Sequence, residues 1–345
     1  MKPQVVLYKS LPPAELAKLQ SHFDVIEFDG VNDGNRAEFI QALTRAEGTI
    51  GTGVMMSADL LDRAPKLKAM ATISVGIDQF DVDYLSQRGI PLIHTPGVLN
   101  ETVADTVILL ALGAARRAGE LSAMVKQGRW TQNLTEAHFG VDFHGKTLGI
   151  IGMGRIGYAV AKRAHYGFSM PICYHNRSVN VEAEQDFGAQ RMDLEDLLQI
   201  ADFIVVLVPL SPETEHLIGD NEFNLMKPSA VFINAARGKV VDEPALIRAL
   251  QTGAIRAAGL DVFQTEPLPA TSPLTQLDNV FLLPHIGSAT HETRLSMVQC
   301  AVDGLIAAMQ GDYSDACVIT TSEKSTQPLE SNSVMVTDLA TDKFC

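Results

Sequence analysis

The chain has 345 residues, 46% of them hydrophobic, with 27 Lys and Arg against 41 Asp and Glu for a formal net charge of -14. That apolar content excludes an intrinsically disordered chain, and the length allows for about two domains. The acidic balance excludes a non-specific nucleic-acid binder, yet leaves room for a small anion at a local Arg.

Residues 4–8 open the chain as a strand, and Pro12 to Gln20 follows as a helix. The alternation continues with strands at Val25–Phe28, Gly48–Thr52, Lys68–Ser74 and Pro91–His94, and helices at Arg36–Ala46, Ser57–Ala64 and Asp83–Arg88. Alternation of this kind implies a parallel sheet covered by helices. After Thr95-Pro96-Gly97, the stretch Glu101 to Arg117 is apolar nearly all round, which predicts a buried helix crossing between two lobes. Ala118 to Gln127 reads as a second helix. Gly128 to His144 is irregular, holds the only Trp (Trp130), and is expected to pack on a neighbouring subunit in a homodimer.

The stretch from Thr147 to Gly157 organises the rest. An apolar run reads as a buried strand, then comes Gly152-x-Gly154-x-x-Gly157, then a helix-like segment from Tyr158 to Ala164. Gly152 permits a tight turn, Gly154 lets a pyrophosphate approach the backbone, and Gly157 lets helix and strand pack closely. The helix start offers free N–H groups to phosphates, so Gly152, Gly154, Arg155, Ile156 and Gly157 are candidate dinucleotide contacts.

A second α/β set follows. Strands are expected at Met170–Tyr174, Phe203–Val208, Ala230–Asn234, Ile255–Leu260 and Val280–Leu283, with helices at Asp193–Ile200, Asn221–Met226, Asp242–Gln251 and His291–Gln310. The fold expected is α/β: two Rossmann-like, doubly wound parallel-sheet domains, with the cofactor domain inserted into the substrate domain. The boundaries expected are 1–99 plus 289–320 for the substrate domain and 100–288 for the dinucleotide domain. Residues 321–345 read as a loosely held tail.

The four cysteines (Cys173, Cys300, Cys317, Cys345) have neither metal nor redox spacing and suit a reducing cytosol. The N-terminus lacks the apolar core of a signal peptide, and the best apolar run, Val107 to Ala115, is too short to span a bilayer. A cytoplasmic protein with no membrane association and no metal is expected.

Ligands of open α/β sheets sit beyond the C-terminal ends of the strands. There the chain carries Val75-Gly76-Ile77-Asp78, Ala235-Ala236-Arg237-Gly238, Asp261-Val262-Phe263 with Glu266 beyond, and Pro284-His285-Ile286-Gly287. Alone, each has an ordinary reading as a surface ion pair, a loop histidine or a turn. Together they suit hydride transfer to a 2-keto acid. A planar guanidinium grips a carboxylate, a His protonates the developing alkoxide, and a carboxylate beside that His favours and orients the imidazolium. No nucleophile elbow and no His/Cys cluster with metal spacing supports a hydrolase or metal reading.

At Gly152-Met153-Gly154-Arg155-Ile156-Gly157, Ile233-Asn234-Ala235-Ala236-Arg237-Gly238, Gly259-Leu260-Asp261-Val262-Phe263 and Pro284-His285-Ile286-Gly287-Ser288-Ala289-Thr290, the chain resembles the D-isomer-specific 2-hydroxyacid dehydrogenase family. The resemblance covers residues 1 to about 318. It implies that Arg237, Glu266 and His285 are the catalytic trio: His285 the acid/base, Glu266 its partner, and Arg237 the group that binds substrate and polarises its carbonyl. It further implies that the Val75 and Gly76 amides hold a substrate carboxylate, that Asp261 holds the nicotinamide amide, and that Thr106 and Gly287 lie near the cofactor. The substrates implied are small anionic 2-keto acids: glyoxylate, hydroxypyruvate and 2-ketogluconate.

The cofactor follows from local residues. In an NAD site an acid at the end of the second strand holds the ribose 2′-OH. Here that strand ends Cys173-Tyr174-His175-Asn176-Arg177-Ser178, with no acid, so Asn176, Arg177 and Ser178 favour NADPH while NADH stays possible. Two alternatives remain open at this point. One is another dehydrogenase of the same fold, acting for example on phosphite; the other is a non-enzymatic protein that senses NAD(H).

Overall fold

The computed structural model describes residues 2–314 and 318–319. The first set of elements is β1 (Gln4–Tyr8), α1 (Pro13–His22), β2 (Asp24–Glu27), α2 (Arg36–Leu43), β3 (Gly48–Gly51), α3 (Ala58–Leu61), β4 (Ala69–Thr72), α4 (Val82–Gln87) and β5 (Leu92–Ile93). Two helices follow, α5 (Asn100–Ala115) and α6 (Ala118–Lys126). The second set is β6 (Leu148–Ile151), α7 (Arg155–Phe168), β7 (Ile172–His175), α8 (Val181–Phe187), β8 (Gln190–Arg191), α9 (Leu194–Ile200), β9 (Phe203–Val206), α10 (Asp220–Leu225), β10 (Val231–Asn234), α11 (Glu243–Thr252), β11 (Ala257–Leu260) and β12 (Val280–Leu282). The last elements among the described residues are α12 (His291–Met309) and β13 (Val318–Ile319).

The strands form two sheets, ordered β13-β5-β4-β3-β1-β2 and β12-β11-β10-β9-β6-β7-β8. The second is wholly parallel and reverses direction between β6 and β9, the Rossmann arrangement that leaves a crevice at the C-terminal ends of those two strands. β3, β4, β6, β9, β10 and β11 are buried along their whole length, as strands covered on both faces must be. Local signals stop and start the helices. The Asp242 side chain accepts the Ala245 N–H at the start of α11, and Gly253 ends it at φ 73°.

α5 joins the sheets. Its Val103 and Val107 belong to one apolar core with Val5 and Ile50 of the first sheet and Leu148 and Val205 of the second. α12 then returns to pack on β3, β4 and α1. The two sheets are thus held by a shared interior as well as by the chain crossings.

Several expectations need correction. α5 is not buried all round: Glu101, Asp105 and Leu109 are exposed, and Arg163 of α7 pairs with both acids at 2.7 Å. Those residues are four apart, so one edge of the helix faces outward. The helix after the glycine turn spans Arg155 to Phe168, well beyond the apolar segment from which it was expected. α8 and β8 were not anticipated, because both are short and polar. The first sheet is not purely parallel, since β13 pairs antiparallel with β5. The Gly128–His144 segment divides: Phe143 is buried and the Val141 N–H bonds to Ala115 O at 2.9 Å, so its second half closes on its own chain. Trp130 and Leu134 in its first half are exposed. The expected tail, 321–345, lies outside the described residues.

Candidate active site

The glycine turn sits where the second sheet reverses. Gly152 has φ 105°, and a Cβ there would stand 2.8 Å from the Leu207 carbonyl carbon just beyond β9. A side chain is excluded both by conformation and by space. A Cβ on Gly157 would meet Gly152 O at 2.5 Å, so this glycine sets how closely α7 packs on the turn. Gly154 is different, because nothing lies within 4 Å of a Cβ built there. The open space adjoins the N-terminus of α7, whose first turn carries Arg155 and no acid. This cradle fits a dinucleotide pyrophosphate, with N–H groups, helix dipole and cation of one sign. Ile156 is half-buried and packs into the core.

Beyond β7, Arg177 and Ser178 are exposed, and Asn176 Nδ2 donates to Ser178 O at 3.2 Å. The loop is tied down by Arg191 of β8, whose Nε and Nη2 donate to the carbonyls of Asn176 (3.0 Å) and Arg177 (3.1 Å). The loop after β9 brings Glu213 near. The Ser211 hydroxyl first, then backbone N–H, then the Arg177 charge hold its carboxyl below the usual range. Neither Arg191 nor Glu213 was singled out from the sequence.

On the other side of the crevice, Arg237 follows β10 and reaches across to the first sheet. Its Nε donates to Asp78 Oδ1 at 3.0 Å and Nη1 to Ala236 O at 2.8 Å. Nη2 lies against Gly76, where a Cβ would overlap it. Arg237 and Gly76 are therefore brought together and Arg237 is oriented before any ligand arrives. Asp78 stood in the run that drew attention to Val75 and Gly76, but its pairing with a residue 159 positions away is not legible in sequence.

His285 and Glu266 also meet. The imidazole Nδ1 donates to Glu266 Oε2 at 2.7 Å, and Glu266 Oε1 accepts the Phe263 N–H at 3.0 Å. Burial pushes the Glu266 carboxyl up. The His285 hydrogen bond, the Phe263 N–H and the charges of His285 and Arg237 outweigh that and hold it below its usual value. Glu266 is thus ionised at neutral pH and fixes the ring with Nδ1 as donor, leaving Nε2 for chemistry. Among the described residues Nε2 has no protein partner.

Asp261 holds the loop that presents this ring. His285 adopts φ 55°, a left-handed conformation that non-glycine residues rarely occupy. The next two amides, Ile286 and Gly287, donate to Asp261 Oδ1 (2.7 Å) and Oδ2 (2.8 Å). Burial raises the Asp261 carboxyl despite these two N–H bonds. From α5 the Thr106 hydroxyl reaches Thr102 O at 3.2 Å and Gly287 O at 3.5 Å, so Thr106 and Gly287 adjoin. Among the described residues, no group of three or more His, Cys, Asp or Glu side chains could hold a metal ion, and no helix is long and apolar enough to cross a membrane.

Known proteins share this architecture. The NAD-binding domain of the D-isomer-specific 2-hydroxyacid dehydrogenases matches residues 108–287. Glyoxylate/hydroxypyruvate reductase B of Yersinia enterocolitica is 55% identical over 318 residues, spanning 92% of this chain and 98% of that protein. The same enzyme of Yersinia pestis matches equally, at 55% over 318 residues. Among solved structures, a glyoxylate reductase from Paecilomyes thermophila superposes with TM-score 0.81 at 33% identity, covering 90% of this chain and 97% of that one. The NADPH-dependent glyoxylate/hydroxypyruvate reductase of Sinorhizobium meliloti, in complex with NADP and malonate, superposes with TM-score 0.78 at 32% identity, covering 90% and 94%. Fold, crevice and relatives agree: the chain belongs to the D-isomer-specific 2-hydroxyacid dehydrogenase family of oxidoreductases.

Proposed function

We propose that this protein reduces small 2-keto acids, glyoxylate and hydroxypyruvate first and 2-ketogluconate as a further candidate, to D-2-hydroxy acids with NADPH as the preferred cofactor and NADH as the weaker one. The observation that carries this reading is the His285–Glu266 pair beside an Arg237 already oriented against Gly76. Arg237 and the Val75–Gly76 amides take the substrate carboxylate, and Arg237 polarises the keto oxygen. His285 delivers a proton from Nε2 to the developing alkoxide, while Glu266 balances the imidazolium. The nicotinamide supplies the hydride. Asp261 and Thr106 shape its pocket through Gly287. The name and bound NADP of the Sinorhizobium relative support NADPH, as do Arg177 and Ser178.

We assign residues 1–99 and 289–320 to a substrate domain and 100–288 to a dinucleotide domain, with the two closing over the substrate. We also propose a homodimer acting in the cytoplasm. Exposed Val125, Trp130, Leu134 and Phe139 support a subunit contact near α6, and the buried thiol of Cys173 suits a reducing compartment. The test is loss of NADPH absorbance with glyoxylate, hydroxypyruvate and 2-ketogluconate in parallel. No turnover of any of the three would end the reductase reading. Sedimentation as a monomer at micromolar concentration would end the dimer.

A further inference from the structure

The loop after β4 is held from behind in an unusual way. Three successive carbonyls each have a partner. Ser74 O accepts the Thr95 N–H at 3.0 Å, Val75 O accepts His94 Nδ1 at 3.1 Å, and Gly76 O accepts its neighbour's Ser74 Oγ at 2.8 Å. Ser74 Oγ is itself tied to Thr72 Oγ1 at 2.7 Å, and Gln79 Nε2 lies 3.3 Å from both hydroxyls. A trans peptide is planar, with its N–H opposite its C=O. Gripping the carbonyls of Ser74, Val75 and Gly76 therefore points the amides of Val75, Gly76 and Ile77 away from those partners, each opposite its own peptide's carbonyl. Among the described residues, those three amides have no intramolecular acceptor. Successive backbone amides without an internal acceptor are the material of an anion site, and Arg237 Nη2 adjoins them at Gly76.

From this geometry we infer that His94 is a positioning residue for substrate: its Nδ1–H holds the Val75 carbonyl and so aims the Gly76 amide at the substrate carboxylate. The inference rests on the reading of the Val75–Gly76 loop as the carboxylate site. His94 touches neither substrate nor hydride and works only through that loop. Just past β5 it is packed in: Cys300 of α12 donates to its carbonyl at 3.8 Å and Thr95 beside it is buried. Burial, outweighing the Val75 hydrogen bond, and the nearby Arg155 charge keep the ring from protonating. A neutral ring with its proton on Nδ1 donates to Val75 O. The arrangement preorganises a carboxylate grip that would otherwise have to be ordered at each binding event.

The test compares His94→Leu, which removes the donor and keeps bulk, with His94→Asn, whose amide nitrogen can occupy the Nδ1 position. His94→Leu should raise KM for glyoxylate roughly ten-fold, the scale of one lost hydrogen bond, with a smaller change in kcat and no change in NADPH affinity. His94→Asn should recover most of the loss. Oxalate binding by calorimetry, with NADP present, reads the same loop without turnover and should weaken in parallel. Unchanged KM and oxalate affinity in His94→Leu would overturn the inference, as would an equal loss in His94→Asn. His94-dependent oxalate binding in a protein that does not reduce glyoxylate would keep the inference and remove the reductase reading.

Discussion

The guanidinium of Arg237 rests against the α-carbon of Gly76, and a methyl group on that glycine would occupy the place of Nη2. The contact joins a loop of the first sheet to a loop of the second. A Gly76→Ala variant must push Arg237 aside or spread the crevice. A displacement of about 1 Å in a positioned group costs on the order of 10²-fold in rate. We expect a kcat/KM for glyoxylate reduced by roughly that factor, with NADPH affinity retained, as measured by steady-state kinetics and fluorescence titration. Wild-type kinetics in this variant would show that the contact is dispensable.

Arg237→Lys should be far from conservative. The guanidinium serves Asp78, Ala236 O and the Gly76 side through three different nitrogens, which one ammonium group cannot reproduce. Substrate KM should rise and kcat fall together, for a combined loss of about 2–4 kcal/mol in transition-state stabilisation, the worth of one or two charge-assisted hydrogen bonds. A change in KM alone would confine Arg237 to ground-state binding.

The His285–Glu266 pair predicts a pH signature. Reduction requires the imidazolium, so its kcat/KM should fall as pH rises, and oxidation of the hydroxy acid should show the opposite limb. His285→Ala should lose roughly 10²–10⁴-fold while NADPH still binds. Glu266→Gln removes the carboxylate that orients the ring, so kcat/KM for reduction should fall by roughly ten-fold or more with NADPH binding retained; unaltered kinetics would disprove the partnership. Stability carries the matching sign. Because the folded protein holds the Glu266 carboxyl below its ordinary value, ionised Glu266 contributes stability above that value and loses it as pH falls through the lowered one. The Tm gap between wild type and Glu266→Gln should therefore narrow on acidification.

Asp261→Asn tests the loop beneath the catalytic ring. Both carboxylate oxygens accept backbone N–H groups, and an amide would set its own N–H against one of them. The cost of a buried unsatisfied pair is about 1–3 kcal/mol. Relief of the buried charge offsets part of it, since burial raises this carboxyl. We expect a lower Tm and a lower kcat together. An unaltered kcat would mean that His285 keeps its left-handed turn without help.

Cofactor preference is tested by Arg177→Asp, which should reverse the ratio of kcat/KM for NADPH over NADH. Losing a charge-assisted contact and gaining a repulsive one should weaken NADPH binding by at least about 1–3 kcal/mol. Equal kcat/KM for the two cofactors in the unmodified protein would remove the basis of the prediction.

What the sequence determined by itself is local. The apolar run into Gly152-x-Gly154-x-x-Gly157 predicts a strand, a tight turn and a helix, because backbone conformation and close approach depend on neighbours in the chain. Period and punctuation located most strands and the strand-end residues Arg237, Asp261, Glu266 and His285. Two short polar elements, α8 and β8, escaped because a seven-residue acidic helix and a two-residue strand are too short to carry a periodicity to read. The resemblance implied the Glu266–His285 pair; the tertiary structure alone decided the other meetings of these loop residues. Asp78 orients Arg237, Asp261 pins the His285 loop, Arg191 ties down Asn176 and Arg177, and His94 holds the Val75 carbonyl. The pairings span separations from 14 to 159 residues; Arg191, Asp261 and His94 meet their partners across neighbouring strands of one sheet, and Asp78 meets Arg237 only because the two sheets are docked. Sequence spacing encodes the first kind of information through the period of the backbone; the second exists only once the strands have paired and, for Asp78 and Arg237, once the two sheets have packed on α5.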